Sequence, residues 1–202
     1  MPVSRPPIQI KPRKLPRQTR SAETVGVILE AAARILERDG FAGFTTNAVA
    51  ERAGVSIGSL YQYFPGKEAL TGALLRRESS VLLDEAAASL HGTSGQAALE
   101  TLVAAAVRHQ LGRPDLARLL DVEENRLPLE EQVREIGAAL CATLVQILAR
   151  PDLPPQADLP LAAADLLAIV KGMVDAAGAR GEVEAQALQE RVRRAVFGYL
   201  RS

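Results

Sequence analysis

A chain of 202 residues is long enough for one or two small domains with a buried core, and with 48% hydrophobic residues it is not disordered by composition. Aromatic residues are only 3% while Ala and Leu abound, which favours helix over strand. Net charge is zero but uneven: residues 1–68 carry ten Lys+Arg against six Asp+Glu and residues 69–202 fourteen against eighteen, so a polyanion would meet only the basic head.

Residues 1–20 hold five prolines and six basic residues, which reads as a flexible basic arm. It is either a solubilising tail or a DNA contact made by Arg17 and Arg20. No signal peptide is read there, because no apolar stretch follows the basic residues. A first helix is expected from about Ser21 to Asp39, with Val25, Ile28, Leu29, Ala32, Ile35 and Leu36 at helical spacing and Gly40 as its stop.

Residues 45–70 are the informative stretch. Thr45 or Thr46 caps a short helix through Ala53, whose inner face is Val49, Ala50 and Ala53. Gly54 falls where the chain must turn through a left-handed conformation, and Val55 plugs the corner. Ser56 then caps a second helix with Leu60 and Phe64 pointing inward. The pattern predicts a helix-turn-helix that offers its second helix to the major groove. Gly58 leaves room for backbone to approach the duplex, and Ser59 and Gln62 can read base edges. Tyr61 and Tyr63 either reach phosphates through their hydroxyls or pack the head's small core. Lys67 opens a long helix, where its charge and the helix N-terminus could both meet phosphate.

Beyond it, helices are expected at about Lys67–Leu90, Ser94–Leu111, Pro114–Asp121, Pro128–Arg150, Leu161–Ala179 and Glu182–Arg201, broken most clearly by the loop at 151–160. The architecture read from this is all-α, with three helices in a head (21–66) and six in a body (67–202). Residues 161–180 are mostly apolar, but Asp165, Lys171 and Asp175 cost roughly 8–10 kcal/mol against insertion, so no membrane span is read. The lone Cys141 excludes an internal disulfide and points to a reducing cytoplasm.

The helix at 161–179 is apolar nearly all round and needs burial on more than one side. With the last helix it reads as a four-helix dimer interface, in which Leu167, Val174, Leu188, Val192, Val196 and Tyr199 meet a second copy; the other reading is that both helices cap their own core. All seven aromatics lie in 41–64 or at Phe197 and Tyr199, so any pocket among the middle helices is aliphatic. His109, Cys141 and Met173 are the candidate ligand contacts in it. Two distant histidines and one cysteine offer no metal spacing, and no cofactor motif or nucleophile elbow occurs. No enzyme is read.

The residues Ile28-Leu29, Ala32-Ala33, Leu36, Gly40-Phe41, Thr45-Thr46, Ala53-Gly54-Val55-Ser56, Gly58, Leu60-Tyr61, Tyr63-Phe64 and Lys67-Glu68 resemble the signature of the TetR family of repressors. The resemblance covers roughly residues 20–70. It implies a nine-helix homodimer that reads a palindromic operator and is released by a small effector. Family members contact DNA at positions matching Thr45, Ser56, Ile57, Gly58, Ser59, Tyr61, Gln62, Tyr63 and Lys67; Thr46 joins this set as the neighbouring hydroxyl. Many relatives carry a polar or basic residue where this chain has Ile57, which either touches a thymine methyl or only packs. The rival function is a DNA-bound adaptor whose effector is a protein partner.

Overall fold

The computed structural model describes residues 19–92, 94–124 and 130–201. The basic arm, including Arg17, lies outside these residues, as do the side chain of Arg20 and the expected helix start at Pro128. Among the described residues the chain forms nine α-helices and no strand. They are α1 (Thr19–Gly43), α2 (Thr46–Ala53), α3 (Ile57–Tyr63), α4 (Lys67–Ser89), α5 (Gly95–Gly112), α6 (Pro114–Glu124), α7 (Glu130–Leu148), α8 (Leu159–Ala179) and α9 (Ala185–Tyr199). The chain divides into two compact units, residues 1–76 with 122–129 and residues 77–121 with 130–202, and the boundary falls inside α4.

In the first unit α1 packs on α2, and α2 on α3. The periodic apolar face of α1 forms the floor of this unit: Ile28, Ala32, Ile35 and Leu36 are all but inaccessible, and so are Phe44, Val49, Leu60 and Phe64 from the segments that follow. Burying each large aliphatic side chain is worth about 1.5–3 kcal/mol, enough to hold on α1 the two short helices α2 and α3 that would be marginal alone. Gly40 does not end α1 outright. It takes a left-handed φ of 59°, breaks the helix, and lets one further turn run to Gly43.

In the second unit α8 is central, packing against α5, α7 and α9. Burial on several sides is what its near-continuous apolar sequence requires. Ala98, Leu99, Val103 and Val107 of α5 join Leu144, Ile147 and Leu148 of α7 and Ala162, Ala163 and Leu166 of α8 in one aliphatic core. Two polar clamps close one end of it. The Asp152 carboxylate accepts from the free amides of Gly95 (2.9 Å) and Gln96 (3.1 Å) at the start of α5, which holds its pKa below the usual range. Arg150 donates to the carbonyls of Gly92 (2.8 Å) and Leu90.

Helix α9 begins three residues later than the apolar pattern predicts. Gly181 turns left-handed at φ 68°, and the Glu182 amide donates back to the Ala177 carbonyl (3.0 Å), so Glu182 closes α8 rather than opening α9. Among the described residues no helix is long and apolar enough to cross a membrane, and no three His, Cys, Asp or Glu side chains gather as a metal site.

Candidate nucleic-acid interface

The two-helix element at 45–64 is fixed by local hydrogen bonds that its residue types supply. Thr45 takes the extended N-cap conformation and its hydroxyl accepts from the Ala48 amide (3.1 Å), which decides between the two threonines. Gly54 ends α2 at φ 68°, ψ 28°, donating to Ala50 and Glu51 carbonyls. The Val55 amide reaches the same Ala50 carbonyl at 3.0 Å, so the chain reverses tightly into the next cap. Ser56 caps α3, its Oγ accepting from the Ser59 amide (3.0 Å) and lying 2.8 Å from the Ser59 hydroxyl.

Helix α3 then has an inner and an outer side. Leu60 and Phe64 are buried, while Ile57 (39% exposed), Gly58, Tyr61 (41% exposed) and Gln62 face outward. Tyr63 is half-buried. The Tyr61 hydroxyl lies 3.2 Å from that of Thr46, so the ring spans from α3 to the first turn of α2. A Cβ built on Gly58 meets nothing closer than the Ser56 Oγ at 3.8 Å. No packing inside the protein therefore asks for a glycine at this position.

Lys67 behaves differently from the expectation of a phosphate contact. Its ammonium donates to the Phe41 carbonyl at 2.9 Å and stands 5.2 Å and 5.4 Å from the ring centroids of Phe41 and Phe44. The other cation between Thr45 and Lys67 is Arg52, exposed in the last turn of α2. It was missed by the sequence reading, although a basic residue on the outward side of a helix-turn-helix is itself a signal.

In the second unit, His109, Cys141 and Met173 sit half-buried on α5, α7 and α8 respectively. Met173 packs against the aliphatic core. Burial pushes the His109 imidazole below its ordinary pKa, with Glu78, Asp121 and Asp175 pulling the other way and Lys171 adding to the depression. Polar groups that the sequence reading passed over lie deeper. Gln110 and Gln132 are each 2% exposed. Gln110 donates to the Asp121 carboxylate (3.1 Å), whose pKa burial raises and that bond lowers. A Cβ on Gly178 would stand 2.3 Å from the Gln110 amide nitrogen, so any side chain there would have to displace the Gln110 amide. The Gln132 Oε1 is buried without a hydrogen-bond partner. The available signal was that Gln110 continues the Leu99, Val103, Val107 face, a polar residue where the period demands an apolar one.

The proposed interface set needs correction. Val174, Leu188, Val192 and Val196 are buried within the single chain, Leu188 and Val192 completely, as members of its own core. A residue with no exposed surface has none to give a partner. Leu167 and Tyr199 keep some exposure, and the Tyr199 hydroxyl donates to Asp165 (2.7 Å), tying α9 to α8. Among the exposed positions on these helices are several small ones, Ala164, Ala168, Gly172 and Ala176 on α8 and Ala187 and Gly198 on α9, beside Leu161, Lys171, Glu190 and Arg194.

Two family models match the sequence. Residues 28–74 match bacterial regulatory proteins of the tetR family, and residues 96–200 match a tetracyclin repressor-like C-terminal domain. Over 51 residues the chain is 45% identical to the HTH-type transcriptional repressor KstR of Mycolicibacterium smegmatis, a quarter of either protein. The KstR of Mycobacterium tuberculosis is 43% identical over 53 residues, 26% of this chain and 24% of that one. The fold is shared with a TetR transcription regulator from Haloarcula marismortui (TM-score 0.74, 20% identity, 89% of this chain and 97% of that one). It is shared also with the fatty acid degradation regulator FadR of Bacillus halodurans (TM-score 0.72, 20% identity, 88% and 96%). The FadR of Bacillus subtilis, solved in complex with stearoyl-CoA, matches at TM-score 0.71 and 19% identity over 86% and 98%.

Proposed function

The chain belongs to the TetR family of bacterial regulatory proteins, and from that premise we propose that it is a ligand-responsive transcriptional repressor that binds a palindromic operator as a homodimer. The observation that carries the reading is the outward side of α3. Ile57, Gly58, Tyr61 and Gln62 stand exposed over buried Leu60 and Phe64, on a helix held rigid by the Ser56 cap and the Tyr61–Thr46 contact. Gln62 offers an amide for adenine, Ile57 an apolar contact for a thymine methyl, and Gly58 close approach of backbone. Dimerisation follows on the exposed small-residue faces of α8 and α9, where Ala164, Ala168, Gly172 and Ala176 let a second copy's helices come near.

The effector in this reading is aliphatic with a single polar end. Residues 65–196 contain no aromatic side chain, so helices α4 to α8 have nothing with which to stack a planar dye or cage a quaternary cation. Gln132 supplies a buried acceptor for a hydrogen-bond donor. The stearoyl-CoA of the structurally similar Bacillus subtilis FadR is a ligand with a long acyl chain, which accords with such walls.

The test is to select bound fragments from the source genome with purified protein and then titrate the recovered duplex with fatty-acid-like, terpenoid and cationic aromatic compounds. Selective duplex binding, released by an aliphatic compound that also raises the melting temperature, is the expected result. Release by aromatic cations would overturn the effector reading. Failure to select any duplex would overturn the operator reading itself.

A further inference from the structure

We propose that Lys67 is a positioning residue of the head, a cationic latch between the end of α1 and the start of α4, with its charge directed at the protein rather than at DNA phosphate. The latch rests on the reading of α3 as the DNA-facing helix, since α2 and α3 lie in the chain between the two points it joins.

Three contacts converge on one ammonium. The Phe41 carbonyl at 2.9 Å belongs to the single turn that follows the break at Gly40, too short for its carbonyl to find an amide donor further along the helix. The Phe41 and Phe44 rings stand 5.2 Å and 5.4 Å from Nζ, both within the range of a cation–π contact. The two rings meet edge to face, centroids 5.9 Å apart at 87°, so each braces the other. Phe44 is buried and Phe41 and Lys67 are half-buried, which shields the contact from solvent screening.

The break at Gly40 makes the arrangement possible. With φ at 59° the chain leaves the axis of α1 and presents Phe41 and Phe44 to the first residue of α4. Lys67 thereby fixes both ends of the 45–64 element. It adds to the Thr45 cap and the packing of α1 on α2 a tie that reaches across from the far end of the element. The consequence for DNA is that Lys67 adds no counterion release, which falls instead to cations elsewhere on the head, Arg52 among them.

A double-mutant cycle of Lys67→Met and Phe41→Leu tests this, read by affinity for the selected duplex over a series of salt concentrations and by amide exchange at 41–43 and 67–70. Lys67→Met is expected to weaken binding roughly five- to tenfold at every salt concentration, with a log–log slope parallel to wild type. Phe41→Leu should reproduce part of the loss, and the double variant should lose less than the sum of the two single losses, because the Lys67–Phe41 contact is shared by both. Lys67→Arg should restore most of the affinity, since a guanidinium can donate to the carbonyl and stack on both rings. A slope that falls by about two per dimer, or losses that add, would assign the charge to phosphate and overturn the latch. If Lys67→Met does not fold, Phe41→Leu alone decides: a phosphate-bound lysine predicts unchanged affinity, a latch predicts a loss. If wild type binds no duplex, the operator reading fails by itself, and amide exchange still judges the latch. Faster exchange at both segments in Lys67→Met supports it, and unchanged exchange overturns it.

Discussion

The Tyr61 hydroxyl lies 3.2 Å from the Thr46 hydroxyl, joining α3 to the first turn of α2. Tyr61 is 41% exposed, so the bond is worth little to the fold, at most about 0.5–1.5 kcal/mol. Its effect is on orientation. Tyr61→Phe keeps the ring and removes the bridge, and should lower affinity for the selected duplex several-fold while the melting temperature barely moves. Equal affinity in Tyr61→Phe and wild type would show that the hydroxyl neither orients α3 nor touches DNA.

Gly58→Ala should separate stability from binding in opposite directions. The protein leaves open space at this position, the nearest atom to an added Cβ being the Ser56 Oγ at 3.8 Å. Replacing an exposed helical glycine by alanine stabilises a helix by about 1 kcal/mol. The variant should therefore melt higher yet bind the duplex more weakly, because the methyl group stands where DNA backbone must come close. An alanine variant that is both more stable and fully active would make Gly58 a mere flaw in α3.

These contrasts mark what was legible in the sequence. Thr45, Gly54 and Ser56 were readable because caps and left-handed turns are decided by a few neighbouring residues, and so was the inward pair Leu60 and Phe64. Lys67 was not, because an exposed start of a helix and a niche beside Phe41 look alike until α1 is folded back. Leu188, Val192 and Val196 show a related ambiguity: an apolar stripe says which side is buried and not whether its own chain or another covers it, and here their own chain's core does. The late start of α9 escaped because the Glu182 amide serves the end of α8, a bond over five residues that helical periodicity ignores.

Acid should destabilise the protein through His109. Burial is the largest cause of its lowered pKa, outweighing the attraction of Glu78, Asp121 and Asp175. A histidine with a depressed folded pKa contributes stability above its unfolded value of 6.5, and that contribution is lost as pH falls through the folded value. Asp121 works oppositely: its raised folded pKa favours the protonated carboxyl, a contribution present at low pH and lost as pH rises. The difference between wild type and His109→Gln isolates the imidazole. Between about pH 7.5 and 5.5 the wild-type melting temperature should fall further than that of His109→Gln. Parallel pH curves for the two proteins would refute the assignment.

The proposed homodimer is best tested at an exposed position, not a buried one. Leu188→Arg would place a charge in the chain's own core, where Leu188 has no accessible surface, and should leave an unfolded protein rather than a monomer. Ala168 is exposed, near the middle of the outward face of α8 between Ala164 and Gly172, and an arginine there can reach water in a monomer. In a dimer sealed on this face the same side chain meets a facing helix at close range. The cost is steric and electrostatic, and roughly 3–5 kcal/mol per buried unpaired charge is enough to dissociate most dimers of moderate affinity. Ala168→Arg should therefore keep its helical circular dichroism and its melting cooperativity, scatter light as a monomer, and lose nearly all affinity for a palindromic duplex while retaining weak binding to a half-site. The paired readout matters, since a loss of helix would report only misfolding. A folded Ala168→Arg protein that remains a dimer and holds the full operator would move the interface to another face of the body.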